Sequence, residues 1–182
     1  MDQRLLFEAA RTGITEYLHN LLKDYLFLPD TVALAGGENP LHIASNANMD
    51  IVMQLLNLEH NICQIKGREQ RFPLRYAAIK GRVQVITELT TASPDCITYF
   101  TARNETAYLA VTNHQFKAFK VLVEHLKKLK KEDVLNKKDD QGNMILHVAV
   151  SRRQYEVVKW LLREQIIPTN AVKVNSSKTR GI

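Results

Sequence analysis

Histidine, cysteine and carboxylate side chains are where chemistry would have to begin in this chain, and none falls into a catalytic or metal-binding spacing. His19, His60, His114 and His125 form no Cys/His pattern suited to zinc. His42 and His147 occupy one shared motif position, in Asn39-Pro40-Leu41-His42-Ile43-Ala44 and Met144-Ile145-Leu146-His147-Val148-Ala149, too far apart along the chain to share a metal. Their expected use is structural, a ring nitrogen bonded to backbone, the usual fate of a partly buried polar ring. No Gly-x-x-x-x-Gly-Lys-Ser/Thr or Gly-x-Gly-x-x-Gly segment offers a phosphate cradle. The serines have no nucleophile-elbow setting, and the carboxylates are scattered rather than paired for acid–base work. The sequence therefore predicts no enzymatic activity, no cofactor and no metal.

Cys63 and Cys96 lie 33 residues apart. If they sit in neighbouring stacked units, the units are separated by roughly 8–10 Å. That exceeds the Cα separation of about 7 Å that a disulfide spans. Two buried thiols in a reducing compartment are expected.

What remains is surface chemistry. Lys and Arg number 25 against 19 Asp and Glu, a formal charge of +6, which favours an acidic partner. An acidic peptide, an anionic membrane face and nucleic acid all qualify by charge. Nucleic acid is disfavoured because no aromatic residues are interleaved with the basic ones to stack on bases.

The elements that must position these residues recur along the chain. Ala9, Ala44, Ala77, Ala110 and Ala149 stand in equivalent places, at spacings of 35, 33, 33 and 39. Phe72-Pro73-Leu74-Arg75-Tyr76-Ala77 repeats the histidine motif quoted above, with Arg75 in place of the histidine. A period near 33 around a Thr-Pro-Leu-His-x-Ala core is similar to that of ankyrin repeats. The expected fold is all-α, a solenoid of five helix-turn-helix units with short β-turn fingers and no true sheet. The units divide as residues 1–33, an N-terminal cap; 34–66; 67–99; 100–138, with an extended basic helix; and 139–169. Residues 170–182 then read as the start of an incomplete repeat or a disordered tail.

Each unit carries two apolar stripes. In the first, Asp2 caps a helix bearing Leu5, Leu6, Ala9 and Ala10, and Tyr17, Leu18, Leu21 and Leu22 face back from a second. Pro40 and Pro73 open helices, where a missing N–H costs little. Gly81 is placed for the turn between helices. Ile51, Val52, Leu55 and Leu56, then Val85, Ile86 and Leu89, then Phe119, Leu122 and Val123, form inner faces of second helices. In the fifth unit Leu146, Ala149, Val150, Val157, Val158, Leu161 and Leu162 are expected inside. No hairpin of this size buries its own stripe, so stability is shared between neighbours.

The polar segments between units are read as fingers along one edge, Asp139-Asp140-Gln141-Gly142-Asn143 being the cleanest, with Gly142 free to take positive φ. Fingers and first-helix ends together would line a groove, and Arg68, Glu69, Arg71, Lys80, Arg103, Asp140, Gln141, Ser151 and Arg152 are the predicted partner contacts. Lys127, Lys128, Lys130 and Lys131 form a basic run on a lengthened second helix, a candidate contact for an acidic surface, with plain solvation as the alternative. His114 and Arg153 stand at inter-helix turns where glycine or asparagine would relax the chain, Tyr108 stands where histidine is usual, and one residue looks missing within Thr106-Ala107-Tyr108-Leu109-Ala110. These departures predict a moderately stable stack, weakest in its fourth unit and at its C-terminal end. Trp160, Ile166 and Ile167 are candidates for an exposed apolar end, unless residues 163–182 fold over it.

Finer motifs narrow the likeness. Ile65-Lys66-Gly67-Arg68-Glu69, Asn104-Glu105-Thr106-Ala107, Phe116-Lys117-Ala118-Phe119-Lys120-Val121-Leu122-Val123 and Leu135-Asn136-Lys137-Lys138-Asp139-Asp140-Gln141-Gly142-Asn143 resemble plant ankyrin proteins of the "bian da" and "accelerated cell death" type. In that family a helical membrane domain with a Pro-Gly-Gly motif follows the stack. The resemblance implies protein–protein contact in defence signalling at a membrane, either as a free adaptor or as the cytosolic regulatory part of an anchored protein acting by self-association or on its membrane half. It implies a cytoplasmic location, or the inner face of the plasma membrane by way of a membrane receptor or a further domain. No membrane domain and no secretory leader is read within these 182 residues.

Overall fold

The chain forms a row of αα-hairpins. The structure, a computed structural model, describes residues 8, 10–12, 40–47, 49–58, 63, 64, 72–94, 96, 97, 105–139 and 141–166. Helices α1 (Pro40–Ala47) and α2 (Met49–Leu58) make one hairpin, and α3 (Pro73–Lys80) and α4 (Val83–Ala92) the next. Then come α5 (Glu105–Thr112) and α6 (Phe116–Lys128), a 3₁₀ turn (Glu132–Asn136), and α7 (Ile145–Ser151) and α8 (Tyr155–Arg163). No strand occurs among the described residues, as the expected all-α solenoid requires. The first-unit stripe lies outside them, apart from Ala10, which is fully buried.

The stacking follows from helix size. A helix of eight residues, such as α3 or α5, is only about 12 Å long and marginal by itself. First helices pack on first helices (α1 on α3, α3 on α5, α5 on α7), and α2 packs on α4 and α4 on α6. The core runs continuously along the row through Leu41, Leu55, Leu74, Ile86, Leu89, Phe119, Leu122 and Leu126, each under 2% exposed. Pro73 sits at the first helical position of α3, after extended Phe72. Helix α5 has eight residues, as α3 does, so no residue is missing from the fourth unit. The lengthened second helix is present, but the extra residues divide: α6 gains a turn ending in His125, Lys127 and Lys128, and the rest form the 3₁₀ turn.

The fifth unit departs from expectation at its outer end. Ala78 and Val111 are each 0% exposed, covered by the unit that follows, and so are Thr90 and Val123, at 3% and 0%. The register equivalents in the last hairpin, Val150 and Leu162, are 54% and 45% exposed rather than buried. Nothing among the described residues stacks beyond α7 and α8, so inward-facing positions become surface. Trp160 and Ile166 are not part of this open end: Trp160 is half-buried against Phe116 and Phe119, and Ile166 is buried, while Ile167 lies outside the described residues.

The inter-helix turns repeat one backbone geometry in three chemistries. Gly81, His114 and Arg153 occupy equivalent places at φ of 69°, 59° and 55°. Only glycine adopts this region without a Cβ clash, and other residues carry roughly 1–2 kcal/mol. His114→Gly and Arg153→Gly are each expected to raise unfolding stability by about 0.5–1 kcal/mol, the glycine's own entropy taking back part of the relief. Gly81→Ala should lower it by about 1–2 kcal/mol. Urea unfolding of the three variants checks this, and a destabilised His114→Gly would contradict it.

Cys63 and Cys96 are free, buried thiols, as expected. The spacing argument nevertheless missed that their side chains meet: the Cys96 thiol hydrogen-bonds to Cys63 and, with Ser93, holds the Cys63 thiol below the ordinary range against the upward push of burial. The Cys96 sulfur also lies 3.4 Å from the Leu89 carbonyl oxygen.

Candidate partner-binding groove

The finger at 139–143 is built by one carboxylate. Asp139 Oδ1 accepts the backbone N–H groups of Gln141 (2.9 Å) and Asn143 (2.7 Å). The turn closes through the Asp139 N–H on the Asn143 carbonyl and the Gly142 N–H on the Asp139 carbonyl, with Gly142 at φ 80° as its spacing predicted. An aspartate side chain at this place substitutes for backbone partners the turn lacks.

Tyr108 ties the finger to the stack. Its hydroxyl lies 2.8 Å from the Asn143 carbonyl oxygen and 3.0 Å from that of Lys137, bridging from α5 to both sides of the finger. Burial, reinforced by the negative charge of Asp139, pushes the Tyr108 hydroxyl far above its ordinary range, so it stays protonated and able to donate. Tyr108 thus does by reach what a histidine ring does by position. His147 takes the expected structural role: its Nδ1 accepts the Met144 N–H at 3.0 Å, at the start of α7. His42 is fully buried, edge-on to Tyr76 at 5.8 Å.

Between this finger and the first helices lies an open groove of about 440 Å³. Arg75 of α3 and Tyr108, Leu109 and Thr112 of α5 form one wall; Asp139, Gln141 and Asn143 of the finger, with Val148, Ser151 and Arg152 at the end of α7, form the other. Of the predicted contact residues, Gln141, Ser151 and Arg152 line this groove together. Lys80 is exposed and occupies the register place of Arg152 two units earlier, outside this groove. Arg68, Glu69, Arg71, Arg103 and Asp140 lie outside the described residues. Sequence reasoning missed Arg75, Tyr108, Leu109, Thr112, Asp139, Asn143 and Val148 as groove residues. The signal was available at Arg75 and Tyr108, which replace the motif histidine at the first-helix end nearest the fingers.

A residue arrangement of this kind offers mixed polar groups along an open trough and no convergent acid, base and nucleophile. The family profile described as Ankyrin repeats (3 copies) matches residues 6–98 and 92–173, nearly the whole length. The chain is an ankyrin-repeat protein. Ankyrin repeats generally mediate protein–protein interaction. No curated protein matches the chain in sequence.

The basic run of this ankyrin stack is less uniform than its composition suggests. Lys128, Lys130 and Lys131 are exposed, Lys130 at φ 53° just past the end of α6. Lys127 is engaged: its Nζ lies 2.7 Å from Glu164 Oε2 and 6.0 Å from the centre of the Trp160 ring. Lys127 holds the Glu164 carboxyl below the ordinary carboxylate range, first by the hydrogen bond and then by charge, with Lys120 and Arg163 adding to it. The ion pair is therefore complete above the ordinary carboxylate range and is lost as pH falls through the depressed value. A carboxyl-detected NMR titration should find Glu164 titrating below the ordinary glutamate range and returning toward it in Lys127→Ala; an unshifted Glu164 would contradict the pairing. No helix among the described residues is long and apolar enough to cross a membrane.

Proposed function

We propose that this protein is a binding scaffold that lays an extended segment of a partner protein along the groove between α3, α5, α7 and the 139–143 finger. What supports the reading is the convergence of Gln141, Ser151 and Arg152 on one open trough whose finger is already fixed by Asp139 and Tyr108. A trough that is rigid before binding does not have to order its own backbone when the partner arrives. Arg152 is exposed at its rim and favours a partner carboxylate there, in keeping with the overall charge of +6. The contact surface extends, on this reading, over Lys80, Arg68, Glu69, Arg71, Arg103 and Asp140 along the same edge.

The likeness to the "bian da" and "accelerated cell death" type supports a place in plant defence signalling, with the stack as cytosolic adaptor. The same likeness supports, as a second role, the regulatory part of a membrane-anchored protein that self-associates or acts on its membrane half. The coding sequence beyond Ile182 discriminates them: hydrophobic segments downstream favour the anchored form and a stop codon the free adaptor.

The groove itself is tested by photo-crosslinking in plant cells. A crosslinker at Ser151 should capture a protein that one at Thr91, an exposed residue of α4, does not. Arg152→Glu should abolish that capture while circular dichroism remains unchanged. Capture that is equal from both sites, or indifferent to Arg152→Glu, rejects the groove.

A further inference from the structure

The outer row of helices is not continuous. Helices α2, α4 and α6 pack in sequence, but α6 and α8 stand further apart. Their contact runs through aromatic side chains: the Trp160 ring of α8 meets Phe119 edge-on at 5.7 Å and Phe116 at 6.3 Å, both from α6. The opening left beside them is a groove of about 600 Å³, lined by Phe116, Lys120, Glu156, Lys159, Trp160, Leu162 and Arg163. It is lined by the second helices α6 and α8 alone and shares no residue with the finger groove.

Two properties of this groove select its occupant. It is floored by ring surface and walled by Phe116, Trp160 and Leu162, so it takes a bulky apolar side chain. It is also positively charged. Lys120 Nζ lies 5.7 Å from the centre of the Phe116 ring and 5.9 Å from that of Trp160, and Lys159 is exposed with no ion-pair partner among the described residues. Arg163 adds a third cation, against Glu156 in the lining and Glu164 at the margin, the latter already paired with Lys127. The Lys127–Glu164 pair at its margin shows how a carboxylate sits beside Trp160, on a lysine already lying over the ring.

We propose that the α6–α8 groove is a second, separate docking site, for an acidic peptide segment of another protein that inserts an aromatic or leucine side chain against Trp160 and sets its carboxylates on Lys120 and Lys159. A membrane surface suits the site less well. The rings are recessed between helices rather than protruding, and insertion into a bilayer needs apolar groups that stand clear of the surface. Nucleic acid suits it less well again, since Trp160 meets its neighbours edge-on and offers no ladder of open ring faces.

Trp160 is the sole tryptophan of the chain, so its emission reports on this groove alone. The experiment selects a random short-peptide display library on the full chain, then titrates a synthetic enriched peptide while following Trp160 fluorescence. Enriched sequences should carry Asp or Glu flanking an aromatic or leucine, and should move the emission saturably. Lys120→Glu with Lys159→Glu should weaken binding about tenfold or more, by reversal of two rim charges. Arg152→Glu, in the finger groove, should leave it unchanged. Peptides that leave Trp160 emission unmoved overturn the inference, as do peptides without acidic residues or ones indifferent to the double reversal. If peptides bind in a manner sensitive only to Arg152→Glu, the finger groove stands and this site falls. A shift of Trp160 emission produced by phosphatidylserine vesicles or a single-stranded oligonucleotide, with none from any acidic peptide, also overturns it.

Discussion

Phe119→Ala is expected to lower unfolding stability by about 3–5 kcal/mol, the loss typical of emptying a fully buried aromatic site. Phe119 is 0% exposed, so its truncation empties a buried site. Inward, it joins the Leu122, Val123 and Leu126 face of α6; outward, its ring meets Trp160 of the next hairpin edge-on at 5.7 Å. Since α6 and α8 touch through these rings rather than along their backbones, truncating Phe119 should also loosen the fifth unit from the fourth. Guanidine unfolding should show a reduced midpoint, and hydrogen exchange in α8 should speed up before that in α4. Leu162→Ala supplies the contrast. It removes more side chain than Val123→Ala at the equivalent place, yet should cost less than about 1 kcal/mol because Leu162 is 45% exposed, whereas Val123 is 0% exposed. If Leu162→Ala proves the costlier of the two, the open end of the stack is not open.

Tyr108→Phe is expected to cost about 1–3 kcal/mol, more than one hydroxyl ordinarily contributes. The ring still fits, so no cavity forms; what is lost is the donor lying between two carbonyls, those of Asn143 and Lys137. The effect should be local. Asp139 continues to hold the turn itself, so the finger keeps its shape but is no longer fastened to α5. Partner affinity at the finger groove should therefore fall along with stability, while peptide binding at the α6–α8 groove stays unchanged. Exchange protection of the Asn143 amide separates the cases: retained protection with weakened partner binding means an unfastened finger, and protection lost together with α7 means the fifth unit has melted.

The two substitutions mark the division between local and non-local information in this chain. The period of the alanines placed the four described hairpins, and Pro40 and Pro73 marked helix starts because the constraint at a first helical residue is local. Gly81, Gly142, His114 and Arg153 were legible as turn residues for the same reason, and all four take positive φ. Part of the groove was legible too, since Gln141, Ser151 and Arg152 follow from knowing which residues end the first helices and which form the finger.

The remaining features depend on distances between units, which no single repeat encodes. Tyr108 looked like an imperfect histidine position, and only the approach of the 139–143 finger to α5 made it the fastener. Val150 and Leu162 carry the same apolar pattern as buried Val111 and Val123, yet among the described residues no further hairpin lies against them and they are exposed. The opening between α6 and α8 arises from bulky rings at Phe116, Phe119 and Trp160 meeting across neighbouring second helices, a steric sum over two units. Sequence by itself thus determined the repeat, its turns and its ankyrin membership, because those rest on backbone preference and periodicity. Tertiary structure alone decided which side chains complete the finger groove and that α6 and α8 leave a second opening, because that rests on how closely one unit is allowed to approach the next.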